Sequence, residues 1–477
     1  MKRLNGMDAM LLYSETPNLH THTLKVAIIH AADYDGEFTF EVFRRTIARR
    51  LHLLDPLRYQ LVDIPWKLHH PMWLEDCPVD LDYHLRRAHV PAPGGRRELD
   101  QIIGEIASTP LDRSRPLWEF HFAEGMADDR FALIGKVHHT LADGVASANL
   151  LARLLDLAGK AQDERGDYVP CEPPSKWQLL AEAQRDHFHN MAALPGLISD
   201  AVRGVVRVRR RNKERPDHPD IARIFQAPPT FLNHVVSPVR TFATATLSLA
   251  EVKETAKHLG VTFNDVVLAM AAGGLRGLLL HYDGRADRPL LATVPVSTDK
   301  SAERITGNEI GGLTVSLPVH VDDALERVNL TALAAKRAKE DYDLLGHELQ
   351  GRILEYLPPP LAPAMFRRQS KHAAHNRLMN VAVSNVPGPR ERGHIGGAPV
   401  SEIYSVGVLS AGSAFNMTVW SYVDQLDIAV LSDDHTFKDP HEATDAMIHA
   451  FGQMRRACGL ADLTTVGTAM APASAGG

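Results

Sequence analysis

Lys136-Val137-His138-His139-Thr140-Leu141-Ala142-Asp143-Gly144 is the stretch on which the reading of this chain turns. It closes an alternating run over residues 131–137, whose period of two marks a strand. Helical spacing resumes over residues 150–157, so the histidine pair sits on the turn of a strand-turn-helix unit. Side chains leave a strand on alternate faces, so His138 and His139 point in opposite directions, one toward a cleft and one into the scaffold. A histidine, with an ordinary pKa of about 6.5, suits the removal of a proton from an attacking hydroxyl near neutral pH. Asp143, four residues after His139, is returned to the same region by one turn of backbone, and it is also a good cap for a helix starting near Val145. Gly144 permits an unusual backbone conformation or close approach of a ligand.

Acyl transfer from a thioester to an alcohol needs little more than this. The hydroxyl must lose its proton, the substrates must meet, and the oxyanion must be stabilised. Neither a metal nor a covalent acyl-enzyme is obligatory. A zinc site built from the two histidines and Asp143 is the rival reading, but no His-Glu-x-x-His spacing supports it, so neither metal nor cofactor is expected. A second His-x-x-x-Asp, His435 to Asp439, is followed by Pro440 where a glycine is wanted, and is read as chance.

Outward from the motif, 477 residues with 44% hydrophobic and 23% charged side chains describe an ordinary globular protein of two or three domains. The net charge of −6 gives no sign of a nucleic-acid partner. Cys77, Cys171 and Cys458 match no metal spacing. No signal peptide is recognised, and the longest apolar stretch, residues 266–280, is interrupted by Arg276 and shorter than the roughly 20 residues a bilayer needs. The expectation is a soluble cytoplasmic protein, with surface attachment to the inner face of a membrane or to lipid bodies left open. Helical and strand patterns alternate, giving an α/β (α+β) class. The expected divisions are an N-terminal lobe over 1–165 carrying the motif, a crossover linker with a basic helix over 166–235, a C-terminal lobe over 236–460, and a disordered tail over 461–477.

Further segments stand in a recognisable order: Asn5-Gly6-Met7-Asp8, His70-Pro71-Met72-Trp73, Pro116-Leu117-Trp118, Asn264-Asp265 and Ser384-Asn385-Val386-Pro387-Gly388-Pro389. With the His-His-x-x-x-Asp-Gly heptad, these make the chain resemble the bacterial wax ester synthase/diacylglycerol acyltransferases, mycobacterial triacylglycerol synthases above all. The resemblance implies two chloramphenicol-acetyltransferase-like lobes, each a mixed sheet with helices, and an active-site channel between them. It carries the general base onto His139 and a supporting role onto His138. Asp143 would hold the loop through an ion pair with an arginine the sequence does not identify, and Gly144 would set the loop's geometry. Asn264, Asp265 and Trp118 become candidate substrate-binding residues, although Asn264 also stands where a helix cap is wanted and Trp118 where packing would place it. The implied reaction transfers a long-chain acyl group from acyl-CoA, a co-substrate, to diacylglycerol. Alternatives are a fatty-alcohol acceptor, a carrier-protein donor as in condensation domains, and a lipid-binding protein without turnover.

The linker gathers Arg203, Arg207, Arg209, Arg210, Arg211, Lys213 and Arg215 beside Leu197, Ile198, Val202, Val205 and Val206. Such a helix either presents a solvated charged face or lies on anionic lipid.

Overall fold

The computed structural model describes every residue except 33, 158–167, 217, 464, 465 and 468–477. The strand of the motif, Arg130–His138, alternates in burial over its second half. Its run ends where Asp143 starts the helix Gly144–Leu154 by accepting the Ala146 N–H at 2.9 Å.

That strand is third in a seven-stranded sheet ordered Leu85–His89, Trp118–Glu124, Arg130–His138, His22–His30, Ala398–Val406, Gly393–Ile395 and Asp156–Leu157. A second seven-stranded sheet runs Ile310–Leu317, Leu290–Ser297, Val381–Pro387, Phe415–Tyr422, Gln425–Asp433, Arg240–Ser248 and Val466–Gly467. Each mixes parallel and antiparallel neighbours and is covered by helices, so the two-lobed α/β class is the one the sequence indicates. A small sheet of Lys2–Arg3, Met72–Leu74 and Gln60–Val62 lies apart from both.

The boundary at 236 does not separate the two sheets. Ala398–Val406 leaves the C-terminal half and pairs antiparallel with His22–His30, matching Val400 to Ile29 and Val406 to Leu24. Its Val400 and Ile403 join the core formed by Phe43, Leu57 and Phe122 of the N-terminal lobe. Period-two patterning identifies a strand without saying which sheet edge it covers, and this edge would otherwise offer unpaired backbone. Of the expected disordered tail, Val466–Gly467 pairs with Arg240–Ser248, and most of the remainder lies outside the described residues.

The linker is mostly one helix, Lys176–Glu214, of 39 residues and so about 58 Å long. Ser175 and Gln178 cap it reciprocally. Gly204 allows the close crossing with Leu345, whose carbonyl oxygen would stand 2.9 Å from an added Cβ. Phe263–Tyr282 is the one helix among the described residues long and apolar enough to cross a membrane. It is apolar all round because it fills the C-terminal core, with Val266, Leu268 and Leu275 buried.

Candidate active site

The turn is held from both lobes. The His138 and His139 N–H groups donate to the Leu117 and Thr21 carbonyls at 3.0 and 2.8 Å. From the other lobe, Gly307 donates to the Leu141 carbonyl at 2.8 Å and accepts from the Asp143 N–H at 3.2 Å. Gly307 has φ +80, a left-handed conformation natural to glycine.

His138 faces the scaffold and is wholly buried. The Thr140 N–H points at its Nδ1, 3.2 Å away, which makes Nδ1 an acceptor and leaves the proton on Nε2. Nε2 then donates to Thr21 Oγ1 at 2.8 Å. The Thr140 hydroxyl also donates to Nδ1, at 2.8 Å. The Glu15 carboxylate stands 3.7 Å from Nε2 and, through Arg113 and this histidine, is held well below the usual carboxylate range despite its burial.

His139 takes the opposite face and is half-buried. Its Nδ1 is buried with no hydrogen-bond partner, and the residue's own carbonyl favours the protonated ring. Burial, and secondarily the Lys25 ammonium, push the imidazole pKa below its ordinary value, against the raising pull of that carbonyl and of Asp143. Asn308 Nδ2 donates to the same carbonyl at 2.7 Å and to Asp8 Oδ1 at 2.7 Å. Burial raises the Asp8 pKa to about 7, the Asn308 contacts notwithstanding. The Asn5-Gly6-Met7-Asp8 segment thus reaches the turn through one amide side chain.

Asp143 has no exposed side chain and does three jobs. It caps the helix, accepts the Glu309 N–H at 3.0 Å, and pairs with Arg304 Nη2 at 2.9 Å. Arg304 also donates to the Gly307 carbonyl at 3.0 Å. The arginine the sequence left unidentified is therefore Arg304, 161 residues away and marked by no local pattern. Gly144 has no unusual φ; an added Cβ would lie 3.1 Å from Val386 Cγ2, tighter than ordinary contact. Val386 lies near the end of the strand Val381–Pro387, and just beyond it a Cβ on Gly388 would strike Trp420 Nε1 at 2.1 Å.

Strand register places Thr23 opposite Val137 and Lys25 opposite Gly135. With His139 two residues beyond Val137, these side chains share one sheet face. A narrow cavity runs over that face between Phe43 and Leu54 on one side and Ser147, Leu150 and Leu154 of the motif helix on the other. Lys25 is the only charged residue lining it. Its ammonium donates to Ser405 Oγ at 2.6 Å, and burial lowers its pKa to about 8.

Three candidates are placed differently from expectation. Trp118 is fully buried and does not line this cavity. It stacks on His84 at 4.3 Å and donates from Nε1 to the Leu57 carbonyl at 2.8 Å, bracing a wall whose inner surface is Leu57 and Phe120. Asn264 is not the cap of the helix Phe263–Tyr282. Thr262 is, with Asp265 Oδ2 accepting from both its N–H at 2.9 Å and its hydroxyl at 2.7 Å; Thr-x-x-Asp was the available signal. The carboxylate of Asp265 is thereby committed to the cap. Asn264 Oδ1 lies 3.5 Å from Asn385 Nδ2, which joins the two asparagine segments that the sequence shows 121 residues apart.

Residues 4–267 match the wax ester synthase/diacylglycerol acyltransferase catalytic domain and residues 306–455 the C-terminal domain of the same proteins. The chain belongs to this family. It is an acyltransferase of the family, with the motif turn inside the catalytic match. A Mycobacterium tuberculosis protein named "Putative diacyglycerol O-acyltransferase" is 55% identical over 99% of this chain and 100% of its own length. An O-acyltransferase of Acinetobacter baylyi is 32% identical over 77% of this chain and 79% of its own. Among solved structures, a wax ester synthase/diacylglycerol acyltransferase from Marinobacter aquaeolei VT8 superposes with a TM-score of 0.67 at 26% identity, covering 96% of this chain and 100% of that one. The first condensation domain of the calcium-dependent antibiotic synthetase shares the fold, with a TM-score of 0.58 at 15% identity over 97% of each chain.

Proposed function

We propose that this protein transfers a long-chain acyl group from acyl-CoA to the free hydroxyl of diacylglycerol, with His139 as general base. The observation that carries the reading is the sheet face His139 shares with the narrow apolar cavity, which suits an acyl chain. His139 Nε2 takes the hydroxyl proton as the oxygen attacks the thioester carbonyl carbon. The tetrahedral intermediate collapses with cleavage of the C–S bond, and protonated His139 returns the proton to the CoA thiolate. His138 holds the turn. Asp143, paired with Arg304, fixes the helix start that carries Ser147 into the cavity. Lys253 and Arg390, beside Asn385 and Gly388 in a second opening, suit the phosphates of CoA.

Opposed substitutions in the cavity test the assignment. Gly135→Val, which narrows it, is expected to shift the preferred acyl-CoA to shorter chains, and Phe43→Leu to longer ones. Chain-length profiles at fixed acceptor check this; unchanged profiles in both variants, or shifts confined to the acceptor, would remove the cavity from donor binding. General misfolding cannot produce opposite shifts. The lowered pKa of His139 gives a second test. The basic form persists at lower pH, so the acid limb of kcat/KM should fall below the ordinary histidine value of about 6.5. A limb at or above that value contradicts His139 as the titrating base.

A further inference from the structure

The long linker helix presents two faces with different fates. Leu179, Ala183, Leu197 and Gly204 are buried. On the same side, Asp186 pairs with Arg3 at 2.6 Å, and Arg215 with Glu340 and Asp341 at 2.8 Å each. At 100° per residue these positions form one stripe. The opposite stripe carries Phe188, Met191, Ile198, Val202 and Val206, which are 61, 60, 56, 58 and 56% exposed. Five large apolar side chains at spacings of three, four and seven residues cover five turns of helix, each more than half exposed among the described residues. Isolated exposed hydrophobics are ordinary on a protein surface; a contiguous stripe marks an interface.

The charge at its end identifies the partner. Arg209 and Lys213 continue the same stripe, and Arg210, paired with Glu214 at 3.4 Å, flanks it with 83% of its side chain exposed. The inward-facing Arg211 and Arg215 neutralise Glu340 and Asp341, so the cations beyond the apolar stripe face solvent. Near the helix's first half, the exposed Trp66 (78%) lies on the short segment Pro65–Lys67 that packs against it, where His187 Nε2 donates to the Leu68 carbonyl at 2.6 Å. An apolar face bordered by arginine and lysine, with an indole at its margin, is the composition of a helix lying in the plane of an anionic bilayer.

We propose that the outward face of Lys176–Glu214 docks the protein on the surface of an anionic lipid membrane, the apolar stripe entering the acyl boundary while Arg209, Arg210 and Lys213 meet lipid phosphates. The helix lies parallel to the surface and does not span it. Docking is a binding property of this face and is independent of the chemistry assigned to His139.

Co-flotation of the full-length protein with vesicles of phosphatidylcholine alone, and with 30% phosphatidylglycerol added, tests the proposal. Wild type is expected to float with the anionic vesicles and to partition at least tenfold less onto the neutral ones. Arg209→Glu/Arg210→Glu/Lys213→Glu is expected to lower anionic partitioning by about a hundredfold, at roughly fivefold for each basic residue removed from the surface. Met191→Ser/Ile198→Ser/Val202→Ser should abolish it without changing the far-UV circular dichroism or the turnover of a water-soluble short-chain thioester. Equal flotation of either variant and wild type overturns the proposal, as does wild type that stays with the pellet. Light scattering that shows a wild-type dimer dissociated by the apolar substitutions also overturns it, because a second copy then covers the face.

Discussion

Arg304→Ala is expected to cost about 3–5 kcal/mol of folding stability, the range for breaking one side of a buried ion pair. Its partner, Asp143, has no solvent-exposed side chain, so the substitution leaves a carboxylate with its cap and the Glu309 N–H but without a counter-charge. The same loss reaches the site. Arg304 fixes Gly307, and Gly307 holds the turn at Leu141 and Asp143. A displacement of about 1 Å there would lower kcat by roughly a hundredfold. Denaturant unfolding and steady-state kinetics on Arg304→Ala, Asp143→Asn and the double variant check this. The pair is expected to be strongly non-additive, with the double variant less destabilised than the sum of its parts. Additive effects would mean the two residues act separately.

His139→Ala should behave in the reverse manner. The imidazole has no side-chain partner at Nδ1, so its removal leaves no buried group unsatisfied and the unfolding midpoint should hardly move. Activity should fall by about 10²–10⁴, the usual contribution of a positioned general base. His138→Ala supplies the contrast. It strips Thr21 and Thr140 of their shared partner and should destabilise by about 1–3 kcal/mol for each orphaned group. Two adjacent histidines therefore separate into one whose loss is read in kcat and one whose loss is read in stability. Equal stability losses for both variants would contradict the opposite-face assignment.

What the sequence revealed follows from how local each feature is. The strand-turn-helix unit and the opposite facing of His138 and His139 rest on side-chain alternation over a few residues, and the structure has both; which of the two is the base was implied only by the family resemblance. Gly144 is open in the sequence between an unusual backbone and close approach of a ligand, whereas its tight neighbour is Val386, 242 residues on. Arg304 and Asn308 carry no signal of their own because their value comes entirely from the neighbours the fold gives them. Trp118, open in the sequence between packing and substrate binding, is found packed. It is paired with Val137 across the strands and so shares the face of Phe120, which does line the cavity, but its own ring is taken up by His84 and the Leu57 carbonyl behind that lining. Alternation gives the face of a side chain and not its distance from the reaction. Ala398–Val406 shows the same limit at the scale of the fold, a strand readable as a strand whose sheet was not.

Mass analysis of a reaction of the full-length protein with palmitoyl-CoA and dioleoylglycerol tests the central claim most directly. The account predicts triacylglycerol and free CoA in equal amounts, dependent on His139, with no acyl group left on the protein. Palmitate without triacylglycerol, or an acyl group covalently retained on the chain, would contradict it.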